Sequence, residues 1–165
     1  FSAFPELRDR IVVIQSFSKP YSMTGWRLGY LLADAPVVDQ IQKVHQYSVV
    51  SVSAFTQQAC VEALQYDNSR EKETFRRRRD YVWGRLQAMG LEVEKPEGAF
   101  YLFPSIEKYG IPSGEFCTRM IQEAGLALTP GSCFSAEGFV RISYCYGDDA
   151  LKEGMDRLER FLQSL

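Results

Sequence analysis

The chain has 165 residues, enough for one domain or for one domain and part of another. A hydrophobic content of 45% suffices for a core, and 19 basic against 21 acidic residues leave a net charge of −2, not the strongly basic balance of a nucleic-acid binder. No apolar run approaches the roughly 20 residues of a membrane span, and one histidine with four dispersed cysteines, none in a Cys-x-x-Cys pair, argues against a zinc site and for reduced thiols.

The opening Phe1-Ser2-Ala3-Phe4-Pro5 has neither the basic and apolar regions of a signal peptide nor an initiator methionine, so a truncated beginning is expected. Ile11-Val12-Val13-Ile14 is β-branched and continuous. It predicts a strand over 11–15 buried on both faces, as in a covered parallel sheet, with functional side chains at its carboxyl end. A second strand is expected over 27–33, joined to the first by the loop around Lys19. Pro36 suits the first turn of a helix whose Val37, Val38, Ile41 and Val44 share a face. His45 lies beside that face and is given no catalytic role.

Residues 53–66 read as a second helix. A third, long one starts from Asn68 and Glu71 at capping-box spacing, runs to Met89 and stops at Gly90. The domain boundary is expected inside or near this helix, giving domains 1–75 and 76–165. Along it, Arg76-Arg77-Arg78-Arg79 points in four directions about 100° apart, so a solvated helix rather than a nucleic-acid patch is expected. Arg79 shares a face with Phe75, Val82 and Leu86 and can lay its stem over them.

Short strands are predicted over 91–94 and 99–103. A helix capped by Ser113 follows, with Phe116, Met120, Ile121 and Ala124 inward and Gly125 as its end. Residues 139–145 read as a strand, and a last helix capped by Asp148 or Asp149 turns Leu151, Met155, Leu158 and Leu162 inward. This order of strands and helices suits α/β followed by α+β, without an internal repeat. Cys60, Cys117, Cys133 and Cys145 are read as packing residues, although Cys133 and Cys145 flank Arg141.

Chemistry concentrates after the first strand. Ser16 and Ser18 offer short hydroxyl donors and Arg27 a planar fork, a set suited to a phosphate dianion. Lys19, partly desolvated beside that cationic cluster, becomes nucleophilic enough to form a Schiff base with an aldehyde. Pyridoxal 5'-phosphate carries both groups. Taken singly, each residue reads as an ordinary loop residue, and Ser18 also as a small residue needed only for close packing. Trp26 and Tyr30 are expected to pack around the lysine loop.

Ser16-Phe17-Ser18-Lys19-Pro20-Tyr21-Ser22-Met23-Thr24-Gly25-Trp26-Arg27-Leu28-Gly29-Tyr30 resembles the pyridoxal-phosphate attachment segment of class I/II aminotransferases of fold type I. The resemblance continues, in family order, through Glu97-Gly98-Ala99-Phe100-Tyr101, Thr129-Pro130-Gly131-Ser132-Cys133-Phe134 and Gly138-Phe139-Val140-Arg141-Ile142-Ser143. It implies an α/β fold: the C-terminal strands of the large cofactor-binding domain, then a small α+β domain. By position it implies Lys19 as the catalytic Schiff-base lysine, Ser16, Ser18 and Arg27 as ligands of the cofactor phosphate, and Arg141 as partner of the substrate's α-carboxylate. On the residues alone, Arg141 also reads as a structural salt bridge within a strand.

The Trp26-Arg27 pair is most similar to the aspartate, aromatic and branched-chain subgroup. The family's preceding region, with the aspartate that binds the pyridine nitrogen, has no counterpart here. The resemblance therefore implies the C-terminal part, inactive alone, of a cytoplasmic, homodimeric enzyme that moves an amino group between an amino acid and a 2-keto acid. Three alternatives stay open, one of them a chain that is only a folding or dimerisation module. The same lysine serves lyases and synthases that use this cofactor, and similar domains act as noncatalytic sensors in transcription regulators.

Overall fold

A short 3-10 helix, Pro5–Arg10, precedes a two-stranded ribbon in the first of two units, which ends at Asn68, while the second spans Ser69 to Leu165; the computed structural model describes residues 4–165. β1 (Val13–Ser16) pairs with β2 (Gly29–Leu32), Val13 opposite Leu32 and Ser16 opposite Gly29. The parallel, doubly covered strand expected from the apolar run is not what forms. Pairing is antiparallel, and Ile14 is 77% exposed. β-Branched residues carry strand propensity by themselves, but burial needs a second layer, and no third strand among the described residues joins this ribbon.

α1 (Ala35–Val49) has Pro36 in its first turn, and α2 (Ala54–Gln65) follows Ser53 at its N-cap. Val37, Val38 and Ile41 are half-buried along the expected face of α1, whereas Val44 is exposed. Asn68 directs its Nδ2 donor to the Pro20 carbonyl at 3.3 Å, which anchors the segment after β1.

The second unit opens with α3 (Ser69–Ala88), so the division between units falls at the start of that helix. It continues through β3 (Tyr101–Leu102), α4 (Ser113–Ala124), β4 (Thr129–Pro130), β5 (Val140–Ser143) and α5 (Asp148–Gln163). The three strands form an antiparallel sheet with β5 in the centre. Along β5, Val140 and Ile142 are buried while Arg141 and Ser143 are only half-buried. One face therefore joins the core of Val82, Leu86, Leu102, Phe116, Met120 and Leu158, and the other is left for polar side chains. The expected inward face of α5 is present in full, with Leu151, Met155, Leu158 and Leu162 all buried.

Several expectations are corrected. Residues 91–94 form no strand: the Glu92 carbonyl accepts the Ser105 N–H (2.9 Å) and the Val93 carbonyl accepts the Trp83 indole N–H (3.3 Å), separate bonds rather than a ladder. The strand expected over 99–103 shortens to β3 because Ala99 has a left-handed φ of 59°, which cannot continue a pleat. Ile121 is exposed, not inward. Ser113 is the first residue of α4 with Pro112 at the N-cap, and Gly147 rather than an aspartate occupies the N-cap of α5. Gly125 ends α4 as expected, at φ 62°, its N–H reaching the Ile121 carbonyl and the Leu126 N–H that of Met120.

Cys60 and Cys117 are buried, and burial pushes the Cys117 thiol up to about 11. Cys133 and Cys145 are exposed, so the packing role read for all four is confined to two. The exposed pair lies in a turn and beyond the end of β5, outside the core. In the arginine run, Arg76 pairs with Glu73, Arg77 and Arg78 share Asp148, and Arg79 pairs with Asp80. Each guanidinium thus meets a carboxylate on the helix surface. No helix among the described residues is long and apolar enough to cross a membrane.

Two glycines separate close approach from simple tolerance. A Cβ at Gly131 would lie 2.0 Å from the Ala136 carbonyl oxygen and 2.6 Å from that of Phe139, whereas Gly84 on α3 has open space around it. Gly131→Ala is expected to cost about 2–3 kcal/mol and Gly84→Ala to stabilise by about 0.5–1 kcal/mol. Urea unfolding followed by far-ultraviolet circular dichroism checks both signs.

Candidate functional site

The register pair Ser16–Gly29 closes the base of one loop, and the Phe17 N–H donates to the Leu28 carbonyl (3.2 Å) just above it. Gly29 is required at that closure, since a Cβ there would sit 2.5 Å from the Gln15 carbonyl oxygen. Ser16, Ser18, Lys19 and Arg27 all lie on this loop or at its base. Ser16 Oγ accepts the Ser18 N–H at 3.1 Å. The Lys19 carbonyl accepts the Ser22 N–H (3.4 Å), so Lys19 starts a tight turn. A 3-10 turn over Thr24–Trp26 then delivers Arg27, whose Nη1 donates to the Thr24 carbonyl at 3.1 Å.

Ser22 and Arg27 both adopt left-handed backbone, with φ of 55° and 54°. For residues with a Cβ this costs about 1 kcal/mol or more each, and such strain persists where surrounding structure imposes it. Phe17 supplies part of that imposition. It is the buried aromatic of the loop, with ring centroids 5.4 Å from Tyr21 and 5.5 Å from Tyr30. Trp26 is exposed instead of packing around the loop as expected.

Lys19, Ser16 and Arg27 are also exposed, so the expected partial desolvation of Lys19 is absent from this chain. The uncovered ribbon accounts for it. A cavity of about 520 Å³ in the first unit is lined by Phe17, Leu28, Tyr30, His45, Cys60 and Leu64 among others, and by none of the four polar residues. Two cationic groups and two hydroxyls on one closed loop, with no carboxylate paired to Arg27 among the described residues, suit a phosphate dianion. Lys19 supplies the amine nucleophile of that loop.

Arg141 belongs to the second unit. It lies on the open face of the sheet, opposite Thr129 in the register, and its Nη2 donates to Thr129 Oγ1 at 3.5 Å. Its Cζ is 4.4 Å from the centroid of the Tyr101 ring and 4.6 Å from that of Phe134. The half-buried arginines Arg78, Arg79, Arg85, Arg119 and Arg157 each pair with a carboxylate. Arg141 is equally half-buried and has no carboxylate partner among the described residues, so it does not form the structural salt bridge that was its other reading.

The turn carrying Phe134, Gly131–Phe134, is held from α4. Ser113 donates its N–H to Glu137 Oε1 and its hydroxyl to Oε2 (3.0 Å), while Ser113 Oγ accepts the Ser132 N–H at 3.2 Å. In the sequence Tyr101 lies within a segment whose resemblance implies approach to the substrate, Thr129 and Phe134 lie within a motif without a role of their own, and Ser113 reads only as a cap. Nothing in their spacing reports the cross-strand register or the turn that brings them to Arg141.

Residues 3–158 match the family model for aminotransferase class I and II. The chain is 46% identical over 98% of its length to a probable N-acetyl-LL-diaminopimelate aminotransferase of Bacillus subtilis, and 42% identical over 94% to an aspartate aminotransferase of Thermotoga maritima. It spans 42% and 41%, respectively, of those relatives' own lengths. Among solved structures, the Thermotoga maritima aspartate aminotransferase matches with a TM-score of 0.89 at 41% identity, covering 94% of this chain and 40% of that one. An aromatic aminotransferase from Pyrococcus horikoshii matches with a TM-score of 0.90 at 38% identity, covering 99% and 46%.

The Ser113 donors hold the Glu137 carboxyl below the usual glutamate range. A carboxylate depressed on folding contributes its stability in full above the unfolded value and loses it as pH falls through the folded one. Glu137→Gln is therefore expected to destabilise the chain at neutral pH, with the gap to the parent narrowing on acidification through the carboxylate range. Urea midpoints of both proteins across that range check it.

Proposed function

The chain belongs to the class I and II aminotransferases, and from that membership we propose that the protein containing it transfers an amino group between an amino acid and a 2-keto acid, with pyridoxal 5'-phosphate held at Lys19. The observation that supports this most is the closed loop bearing Ser16, Ser18, Lys19 and Arg27. When bound, the cofactor supplies an aldehyde that condenses with amines and a ring that takes up the electron pair released at an α-carbon.

In this reading Lys19 Nζ would hold the cofactor at its aldehyde by condensation, the carbonyl oxygen leaving as water. Once an incoming amine has taken its place, the same nitrogen moves the proton at the substrate's α-carbon. Arg27 and the hydroxyls of Ser16 and Ser18 hold the phosphate, the guanidinium giving direction and the serines short donors. Arg141 takes the α-carboxylate, for which its planar fork is matched and a lysine would be a poor substitute. The first unit is then the end of the large cofactor-binding domain and the second the small C-terminal domain. The reading extends to a cytoplasmic homodimer. Four unpaired cysteines suit a reducing compartment, and exposed apolar side chains of the first unit, Ile14, Tyr47 and Phe55 among them, are of the kind that further chain or a second subunit covers.

Borohydride reduction of the cofactor-loaded intact protein, followed by peptide mass spectrometry, is expected to find the pyridoxyl group on Lys19. Its appearance on another lysine would remove Lys19 from this role. Arg27→Ala is expected to weaken cofactor retention about 10- to 100-fold in equilibrium dialysis, the loss that goes with a charged hydrogen bond worth ~1.5–3 kcal/mol.

By itself, the 165-residue chain, which spans 42% of the length of its Bacillus subtilis relative, is expected to show no measurable amino transfer. Ordinary turnover by that chain with an amino acid and a 2-keto acid would contradict this.

A further inference from the structure

We propose that Tyr101 and Phe134 are positioning residues that hold the Arg141 guanidinium by their ring faces and leave its hydrogen-bonding edge for a planar anion. The proposal rests on the reading of Arg141 as the carboxylate-binding group. It adds which residues present that group and why the site selects by shape.

A half-buried guanidinium loses part of its hydration, and the usual compensation in this chain is a carboxylate. At Arg141 two aromatic rings stand in its place, both within 5 Å of Cζ. Ring faces attract a cation through their quadrupole but accept no strong hydrogen bond. They therefore stabilise the charge without occupying its N–H donors. Thr129 Oγ1 takes one of these at a long 3.5 Å, and the remaining donors have no protein acceptor among the described residues. A carboxylate partner would have competed with any incoming carboxylate, whereas the rings do not.

Both rings are placed by structure independent of Arg141. Tyr101 sits opposite Ser143 in the β3–β5 register, two residues from Arg141 on the same face, within the diagonal reach of an aromatic side chain. Phe134 stands at the end of the Gly131–Phe134 turn. Three restraints fix that turn: the Gly131 N–H on the Phe139 carbonyl (2.8 Å), the Ser132 N–H on Ser113 Oγ, and the edge contact of Phe134 with Phe103 at 6.0 Å. With carbon filling two directions of approach, a ligand must meet the guanidinium along its donor edge. A carboxylate matches that edge with two parallel hydrogen bonds, and a tetrahedral anion matches it less well.

The test uses the ¹⁵N-labelled chain, with the Arg141 Nε–Hε resonance assigned by its loss in Arg141→Lys. That resonance is expected to be ordered and ring-shifted, and to move saturably with acetate and more weakly with sulfate at equal ionic strength. Phe134→Leu and Tyr101→Leu are each expected to lower its order and raise the acetate Kd about fivefold, while Phe134→Tyr and Tyr101→Phe stay within about twofold of the parent. If the leucine variants leave both order and affinity unchanged, the positioning role is overturned. Equal or tighter sulfate binding overturns the shape selection. An ordered resonance that acetate does not move overturns the carboxylate reading itself, a distinct result. Should Tyr101→Leu unfold the unit, Phe134→Leu decides alone, because Phe134 lies outside the buried core.

Discussion

The second unit is arranged around the pleat of one central strand. Because side chains alternate along β5, Val140 and Ile142 reach the core only if Arg141 and Ser143 face away from it. A slip of one residue would exchange the two sets, burying a guanidinium and exposing the apolar pair. Register is therefore held from several sides. Leu102 pairs with Ile142, Pro130 pairs with Val140, and Gly131 approaches the Phe139 and Ala136 carbonyls too closely for any Cβ. The same geometry that closes the core presents the polar face, so stability and site are two consequences of one alternation.

The first unit uses a different device for a similar end. Ser16, Ser18, Lys19 and Arg27 share one closed loop, with Ser16 and Gly29 as the clasp and two left-handed residues, Ser22 and Arg27, bending the chain. The two arginines are handled accordingly. Arg27 is exposed, and water together with the Thr24 carbonyl stabilises it. Arg141 is half-buried and relies on aromatic faces. Arginines with structural work to do are paired with acids instead, as Arg85 is with Asp156 and Glu159, and Arg157 with Glu153.

What the sequence makes legible follows from how local each signal is. The inward face of α5 was readable because Leu151, Met155, Leu158 and Leu162 repeat at helical spacing, although its cap was not, and Gly125 was readable as a helix end because only its own backbone had to turn. The loop from Ser16 to Arg27 was readable as a unit because its residues are contiguous. Burial of β1 was not, since composition reports propensity and not the layer that would cover it. β4 was hidden by Pro130, which argues against a strand yet fits an edge. Ala99 gave no sign of its left-handed backbone, so β3 was drawn too long. Tyr101 and Phe134 reach Arg141 only through a register and a turn, relations that no local window contains.

The choice of partner for a half-buried arginine has an energetic consequence for binding. Where a carboxylate neutralises the guanidinium, an incoming anion must displace it and leave an acid unpaired, which in a desolvated setting costs about 3–5 kcal/mol. Aromatic faces contribute less, about 0.5–2 kcal/mol, but that contribution survives when the ligand arrives, because it acts through the ring faces and not through the N–H donors. A strong partner would have made Arg141 a structural residue, like Arg85. A weaker, non-competing one keeps its charge in place and its donors open, which is the condition a binding arginine has to meet.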